Sequence, residues 1–262
     1  MEGKPQVDNF SAGGTGNDES KYYYKMDYPR KSICLIINME YFAIQDLQRR
    51  YGTQKDKKKL QDTFKMLGFD VRAEDNLTYK ELENVLKNVA AEDHSKRSCF
   101  VCAILSHGNE DGIFARDHIF TLNWLSRFFS RKSCKSLAGK PKLIFIQACR
   151  GAEYDYGIET DSPCSSQCTT LSPDILNEED FLYAYSTPLG YFAWRNERHG
   201  SWFIQSLCKI LQKYGNALEV MQILTHVNHK VALEYESNTG GKEMPCIITM
   251  LTKELYLSNI SK

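Results

Sequence analysis

The chain has no excess of either charge: 33 Lys and Arg stand against 33 Asp and Glu in 262 residues. Without a net field there is nothing to gather nucleic acid or an anionic membrane surface, so any partner must be chosen by local chemistry. No apolar run approaches 18 residues, and Met1-Glu2-Gly3-Lys4-Pro5 opens a polar, Gly-rich stretch with no hydrophobic signal region. The expectation is a soluble, cytoplasmic protein with no membrane or nucleic-acid partner. An even cysteine count, the mark of a disulfide framework, is missing too. The cysteines number nine, and Cys34, Cys99, Cys102, Cys208 and Cys246 lie in apolar strand or helix patterns where a free thiol behaves as a small hydrophobe. Cys164 and Cys168 have the spacing of half a metal site, but no His/Cys pair accompanies them, so no metal or other cofactor is expected.

What is present is an alternation of strands and helices. Residues 1–27 have too few apolar side chains to offset the entropy of ordering and read as a disordered leader. Strands are predicted at 32–38, 69–72, 98–105, 142–147, 181–187 and 245–251. Helices are predicted at 52–66, 79–91, 121–129, 201–214 and 217–236, the second opened by a Thr78/Glu81 capping box. Between 152 and 180 lie Pro163, Pro173 and several Ser and Thr residues with no sustained period, which reads as a long exposed linker. The alternation predicts an α/β fold, a largely parallel sheet with helices on both faces. Asn38-Met39-Glu40 after the first strand offers no glycine-rich phosphate loop, which argues against a nucleotide-binding module.

The chemistry concentrates at 142–151, which reads Lys-Leu-Ile-Phe-Ile-Gln-Ala-Cys-Arg-Gly. The apolar run stops at Gln147, which puts Cys149 at the carboxyl end of a buried strand, the edge where open α/β sheets bind ligands. Another apolar run ends in Ser106-His107-Gly108. Adjacent strands would bring imidazole and thiol together, the constellation of a cysteine protease. The histidine activates the thiol, and the backbone N–H groups of Gly108 and Cys149 are placed to receive an oxyanion.

Gln147-Ala148-Cys149-Arg150-Gly151, Ser106-His107-Gly108, Trp194-Arg195-Asn196 and the run from Met250 to Tyr256 together resemble the effector caspases, over about residues 25–257. The resemblance implies a three-layer sandwich around a central, mostly parallel six-stranded sheet, and an aspartate-specific cysteine endopeptidase that executes apoptotic proteolysis. It implies Cys149 as nucleophile and His107 as acid/base. Arg50, Gln147 and Arg195 would form a pocket for the substrate aspartate, Phe192 and Trp194 the wall for the next residue upstream, and Asn196 and Trp202 a more distant subsite. Two guanidiniums suit a short carboxylate because they can grip it bidentately.

A zymogen is implied as well, with residues 28–161 as large subunit, 162–180 as linker and 181–262 as small subunit, the two subunits making one catalytic domain. An upstream protease would cut after Asp161, which ends Ile-Glu-Thr-Asp. Asp174 and Asp8 are secondary candidates. Cleaved units would pair as a homodimer through the last strand. Two departures stand out: the loop 237–244 is short, which leaves the preference three residues upstream of the substrate aspartate open, and Lys55-Asp56-Lys57-Lys58-Lys59 is unusually basic and reads as a solvated helix start. A relative cutting after Arg or Lys would need an acidic pocket, which these positions do not supply. A catalytically weak or inactive regulatory scaffold is the other alternative, but it would predict loss of Cys149, His107 or a pocket arginine, and all are present.

Overall fold

The computed structural model describes residues 19–151 and 178–258. In chain order they form β1 (Ile33–Asn38), α1 (Thr53–Met66), β2 (Asp70–Asp75), α2 (Tyr79–Ala91), β3 (Phe100–Leu105), β4 (Ile113–Phe114), β5 (Ile119–Phe120), α3 (Leu122–Arg127), β6 (Lys142–Gln147) and β7 (Phe181–Tyr185). Then follow β8 (Arg195–Asn196), β9 (Gly200–Ser201), α4 (Trp202–Tyr214), α5 (Val220–Glu234) and β10 (Cys246–Thr249). Six strands make one sheet in the order β10-β7-β6-β3-β1-β2, parallel throughout except that β10 runs antiparallel to β7. The mostly parallel sheet with helices on both faces is therefore as the alternation predicted.

Every residue of β1, β3, β6 and β7 is buried. Side chains of successive strand residues point to opposite faces, so each strand feeds two cores. On one face Cys34, Ile36, Val101, Ala103, Leu143 and Phe145 meet Leu60 and Phe64 of α1 and the apolar sides of α4 and α5. On the other, Ile33, Leu35, Cys102, Ile104, Ile144 and Ile146 meet Leu82 and Leu86 of α2 and Leu122 and Leu125 of α3. The thiols of Cys34, Cys99, Cys102 and Cys208 are free and buried, and burial pushes each upward, Cys99 and Cys208 to about 12. They pack as apolar groups.

Element ends moved where periodicity was weakest. The strand read at 69–72 runs to Asp75, because β2 is an edge strand whose polar residues are half-buried and give no apolar run. The helix read at 121–129 contracts to α3, whose Thr121 side chain accepts from the Trp124 N–H. The capping box at α2 is present, with Thr78 accepting from Glu81 N and Glu81 accepting from Thr78 N. Asp8, Asp161 and Asp174, and Cys164 with Cys168, lie outside the described residues.

Residues 19–27, read in sequence as the end of the leader, are tied to the far end of the chain. Tyr24 is 7% exposed, and backbone bonds link Tyr24 N to Glu254 O and Glu254 N to Tyr22 O. The Tyr24 hydroxyl donates to Asp180 Oδ1 at 2.6 Å and accepts from Thr252 N at 3.0 Å, while Thr252 Oγ1 donates to the same Asp180 oxygen. Burial first, and then the bond to Asp180, pushes the Tyr24 phenol up to about 12. Asp180 immediately precedes β7, so this clasp fixes where the second half of the sheet begins. Tyr24→Phe removes the hydroxyl and is expected to cost about 1–2 kcal/mol in the urea unfolding of the intact chain, because Thr252 N loses its acceptor and Asp180 a donor.

Candidate active site

The site is built by register. β3 and β6 pair in parallel with Leu105 opposite Gln147, and β1 enters the same rung with Asn38 opposite Leu105. Ser106 N continues the ladder to Gln147 O. His107 and Cys149 each follow the shared rung by two residues, so the chain delivers both to one sheet edge.

Each residue of Gln147-Ala148-Cys149-Arg150-Gly151 has a physical task. Gln147 is 2% exposed, with its Oε1 buried and without a partner. Ala148 and the Cys149 carbonyl crowd Gly108, where a Cβ would lie 3.1 Å from the Ala148 Cβ and 2.5 Å from that oxygen. Arg150 exchanges backbone bonds with the loop after β7, its N–H donating to Tyr191 O and its carbonyl accepting from Gly190 N. Its guanidinium lies over the Tyr185 ring at 4.0 Å. Gly151 backs onto Gly190 so closely that a Cβ would fall 2.0 Å from the Gly190 oxygen.

The Cys149 thiol is free and half-buried, and its Sγ accepts from Ala193 N at 3.5 Å. Burial pushes it up, against the opposing pull of the Ala193 N–H and of Arg50 and Arg195. The His107 imidazole packs on Phe42 with ring centroids 4.9 Å apart, and its Nε2 lies 2.7 Å from the Gln48 carbonyl. A carbonyl can only accept, so Nε2 carries the proton and Nδ1 holds the lone pair. Burial lowers this histidine to about 4 despite that bond, and Arg50 and Arg195 lower it further. Thiol and imidazole are both neutral in the resting site. Among the described residues no hydrogen bond joins them, and the N–H groups of Gly108 and Cys149 have no backbone acceptor.

Beside them lie two cations, one buried and one half-buried. Arg50, 1% exposed, donates from Nη1 to Met39 O at 2.9 Å and to Thr53 Oγ1 at 2.8 Å, while its Nε has no partner. Desolvation and then repulsion by Arg195 bring Arg50 down to about 9. Arg195, half-buried on β8, donates from Nε to Tyr51 O at 2.8 Å and is lowered mainly by burial. A carboxylate entering between these guanidiniums would relieve their repulsion and take up unused donors, which is what a short acidic side chain requires.

The remaining expected positions flank this pocket. Phe192 meets Trp194 edge-on at 5.6 Å, Trp194 stacks on Trp202 at 5.4 Å, and Trp202 stacks on Tyr235 at 5.4 Å. Asn196 is exposed, and its Oδ1 accepts from Arg198 N and His199 N, closing the turn between β8 and β9. The short loop 237–244 folds onto Trp194, whose Nε1 donates to Lys242 O and whose backbone N–H donates to the buried Glu243 carboxyl. Burial raises Glu243 well above the usual carboxylate range.

Sequence reading missed Asp56. Its lysine-rich stretch reads as a solvated helix start, yet Asp56 is 0% exposed. Both its oxygens accept from Ser201 N at 3.0 Å, and Oδ1 also accepts from Gln205 Nε2 at 2.8 Å. Ser201 pairs with Arg195 across the β8–β9 hairpin, so a carboxylate on α1 fixes the strand that carries a pocket arginine. Gly200 makes this possible, since a Cβ there would sit 2.2 Å from Asp56 Oδ1. The carbonyls of Gln48 and Tyr51 were invisible for another reason: backbone acceptors have no side-chain signature. His94 is buried as well, with Nε2 held by Val89 O. No group of His, Cys, Asp and Glu suited to a metal occurs among the described residues.

Against known proteins, a family model described as Caspase domain matches residues 31–256. The chain is 51% identical over 240 residues to caspase-3 of Mesocricetus auratus, covering 89% of this chain and 86% of that protein. Identity to caspase-3 of Bos taurus is 50% over the same length and shares. Among solved structures it is similar to caspase-1 from Spodoptera frugiperda, with TM-score 0.83 and 37% identity over 95% of this chain and 100% of that one.

Asp56→Ala strips two buried donors of their acceptor and is expected to cost about 2–4 kcal/mol in urea unfolding, with Asp56→Asn costing less because it keeps one acceptor oxygen. Burial raises Asp56 from 3.8 to about 6, so the folded state holds this proton more tightly than the unfolded chain. The contribution is full below about pH 4 and is lost as pH rises through about 6. The stability difference between wild type and Asp56→Asn should shift in that window, a comparison from which the opposite trend of His107 cancels.

Proposed function

The chain belongs to the caspase family, and from that membership we propose how its residues divide the work of cutting a peptide bond. It is a caspase-3-like effector caspase, a cysteine endopeptidase that cuts after aspartate in apoptosis. In our reading Cys149 is the nucleophile, His107 the acid/base, and Arg50, Gln147 and Arg195 hold the substrate aspartate. The observation that carries the reading is the delivery of thiol and imidazole from one sheet rung to the rim of a pocket holding one buried and one half-buried cation.

The reaction starts from a neutral pair. As Cys149 Sγ bonds to the substrate carbonyl carbon, its proton passes to His107 Nδ1, the ring nitrogen left free by Gln48. The carbonyl π pair moves onto oxygen, which takes up the unspent N–H groups of Gly108 and Cys149. The C–N bond breaks as His107 returns its proton to the leaving amine, giving a thioester. Water attacks that thioester, its proton going to His107 and then to the departing thiolate, and the acid product and free thiol are restored.

The pocket arginines depress His107, so a bound carboxylate that neutralises them raises the proton affinity of the imidazole. The substrate's own aspartate thereby strengthens the base that acts on it.

Production as a zymogen cut after Asp161, with Asp174 and Asp8 as secondary sites, is supported by sequence alone, Ile-Glu-Thr-Asp fitting the enzyme's own rule. On this reading residues 28–161 and 181–262 are the large and small subunits, and an upstream protease performs the cut. The half-buried edge strand β10, with Ile247 and Ile248, supports pairing of two copies through that strand, since an apolar edge needs cover. A cytoplasmic location fits the absence, among described residues, of any helix long and apolar enough to cross a membrane.

Two outcomes test this reading. Matched fluorogenic tetrapeptides ending in Asp, Asn, Glu or Arg, given to protein cut after Asp161, should be hydrolysed only when they end in Asp, with Cys149→Ala at least 10³-fold slower. Cleavage after Asn or Arg, or activity surviving in Cys149→Ala, sinks it. In pH profiles the acid limb of kcat/KM, which reports free enzyme, should lie below the ordinary histidine value of 6.5, and that of kcat, which reports the bound state, should lie at higher pH.

A further inference from the structure

Aspartate is this enzyme's own recognition residue, so each aspartate of the chain is a possible site of the enzyme's own action. Ten lie among the described residues, and nine of them are committed. Asp56 and Asp180 are buried, Asp62 lies inside α1, and Asp70 and Asp75 belong to β2. Asp27 pairs with Lys25, and the carboxylates of Asp93 and Asp117 accept from Ser95 N and Tyr79 N. Asp111 sits in a turn that Asn109 Oδ1 closes by accepting from Asp111 N and Gly112 N.

Asp46 is the exception. It is exposed, and among the described residues its carboxylate has no partner to surrender before two guanidiniums take it. Its φ is 69°, in the left-handed region that costs most side chains energy, and its turn is closed by one long bond, Leu47 N to Ile44 O at 3.4 Å. A peptide bond must be drawn out of its turn to lie along a protease cleft. Here opening gives up one weak bond and relieves strain.

What the loop carries makes a cut consequential. Two residues past Asp46, the Gln48 carbonyl holds His107 Nε2 at 2.7 Å, and two further on stands the buried Arg50. Before Asp46, Phe42 packs on the same imidazole. Arg49 would stay moored after a cut, by its bonds to Glu40 Oε1 and by the Tyr41 and Tyr51 rings at 4.5 and 4.6 Å. Gln48 would then lie between that mooring and a free end, so the carbonyl that sets the tautomer of His107 loses support from one side.

We propose that the Asp46–Leu47 bond is a self-cleavage site through which one active molecule switches off another. The proposal rests on the protease reading above. Hydrolysis adds water across the C–N bond, leaving a carboxylate on Asp46 and an amine on Leu47. A molecule cannot do this to itself, because Phe42, Gln48 and Arg50 of the same loop belong to the site that would have to receive it. The cut is therefore bimolecular and proceeds faster where the enzyme is concentrated.

In the test, protein already cut after Asp161 is incubated at several concentrations while hydrolysis of an Asp peptide and intact mass are followed together. A fragment beginning at Leu47 should appear, faster per molecule as concentration rises, and activity should fall roughly 10-fold or more in step with it. Asp46→Asn should start at the wild-type rate and then keep it, since Asp46 touches no site residue and asparagine tolerates the same backbone region. Cys149→Ala protein given to a trace of wild type isolates the cut from its effect: it should yield the same fragment, and Cys149→Ala/Asp46→Asn should not. If Asp peptides are cleaved but no fragment begins at Leu47, if Asp46→Asn decays as fast as wild type, or if cutting leaves activity intact, the proposal is overturned and the protease reading stands. If no Asp peptide is cleaved at all, the protease reading fails and takes this proposal with it.

Discussion

The parallel pairing of β3 with β6 is the constraint on which the site depends. A slip of one residue would turn every side chain of β6 to the opposite face, exchanging the partners of Leu143 and Phe145 with those of Ile144 and Ile146. Because both faces are fully buried, the two cores hold the register from above and below. His107 and Cys149 inherit their common position from it. His107 and Cys149, each just past a strand end, owe the precision of their placement to the strands before them.

Onto that edge the fold imports charge from two distant parts of the chain. Arg50 precedes α1, Arg195 sits on β8, and burial first, then their mutual repulsion, lowers the proton affinity of Arg50. Asp56 offsets part of this without touching either guanidinium, and its own elevated value shows that ionising it inside the protein is costly. Two cations held this close are thus an arrangement in which stability is given up, and an anionic side chain between them would restore part of it. Burial keeps His107 unprotonated and the same positive field adds to it, so the two arginines and the proposed acid/base are electrostatically linked.

How much of this was legible follows from what each residue signals. β1, β3, β6 and β7 announce themselves because strands buried on both faces must be continuous apolar runs; β2 does not, because at the edge its alternation is diluted by Asp70, Arg72 and Glu74. Cys149 and His107 stand at the ends of such runs in a recognisable motif. Arg50 and Arg195 carry no local pattern, and only resemblance pointed to them. Asp56 is hidden by its lysine neighbours, of which Lys55 and Lys58 lie exposed on a helix whose inner side their composition cannot report. The Gln48 and Tyr51 carbonyls and the near-contacts of Gly151 and Gly200 exist only in three dimensions.

The direct pairing of β6 with β7 has a consequence for covalent continuity. Lys142 to Ile146 face Phe181 to Tyr185 rung by rung, Asp56 grips Ser201 across the same divide, and Gly52 nests against Asn196 with less room than a methyl group needs. A break anywhere between residues 151 and 178 removes none of these contacts. The molecule is in this sense a complex already assembled, whose two halves happen to be joined by a peptide tether. Separately made halves should therefore find one another by the same surfaces, which makes the chain a natural candidate for fragment complementation.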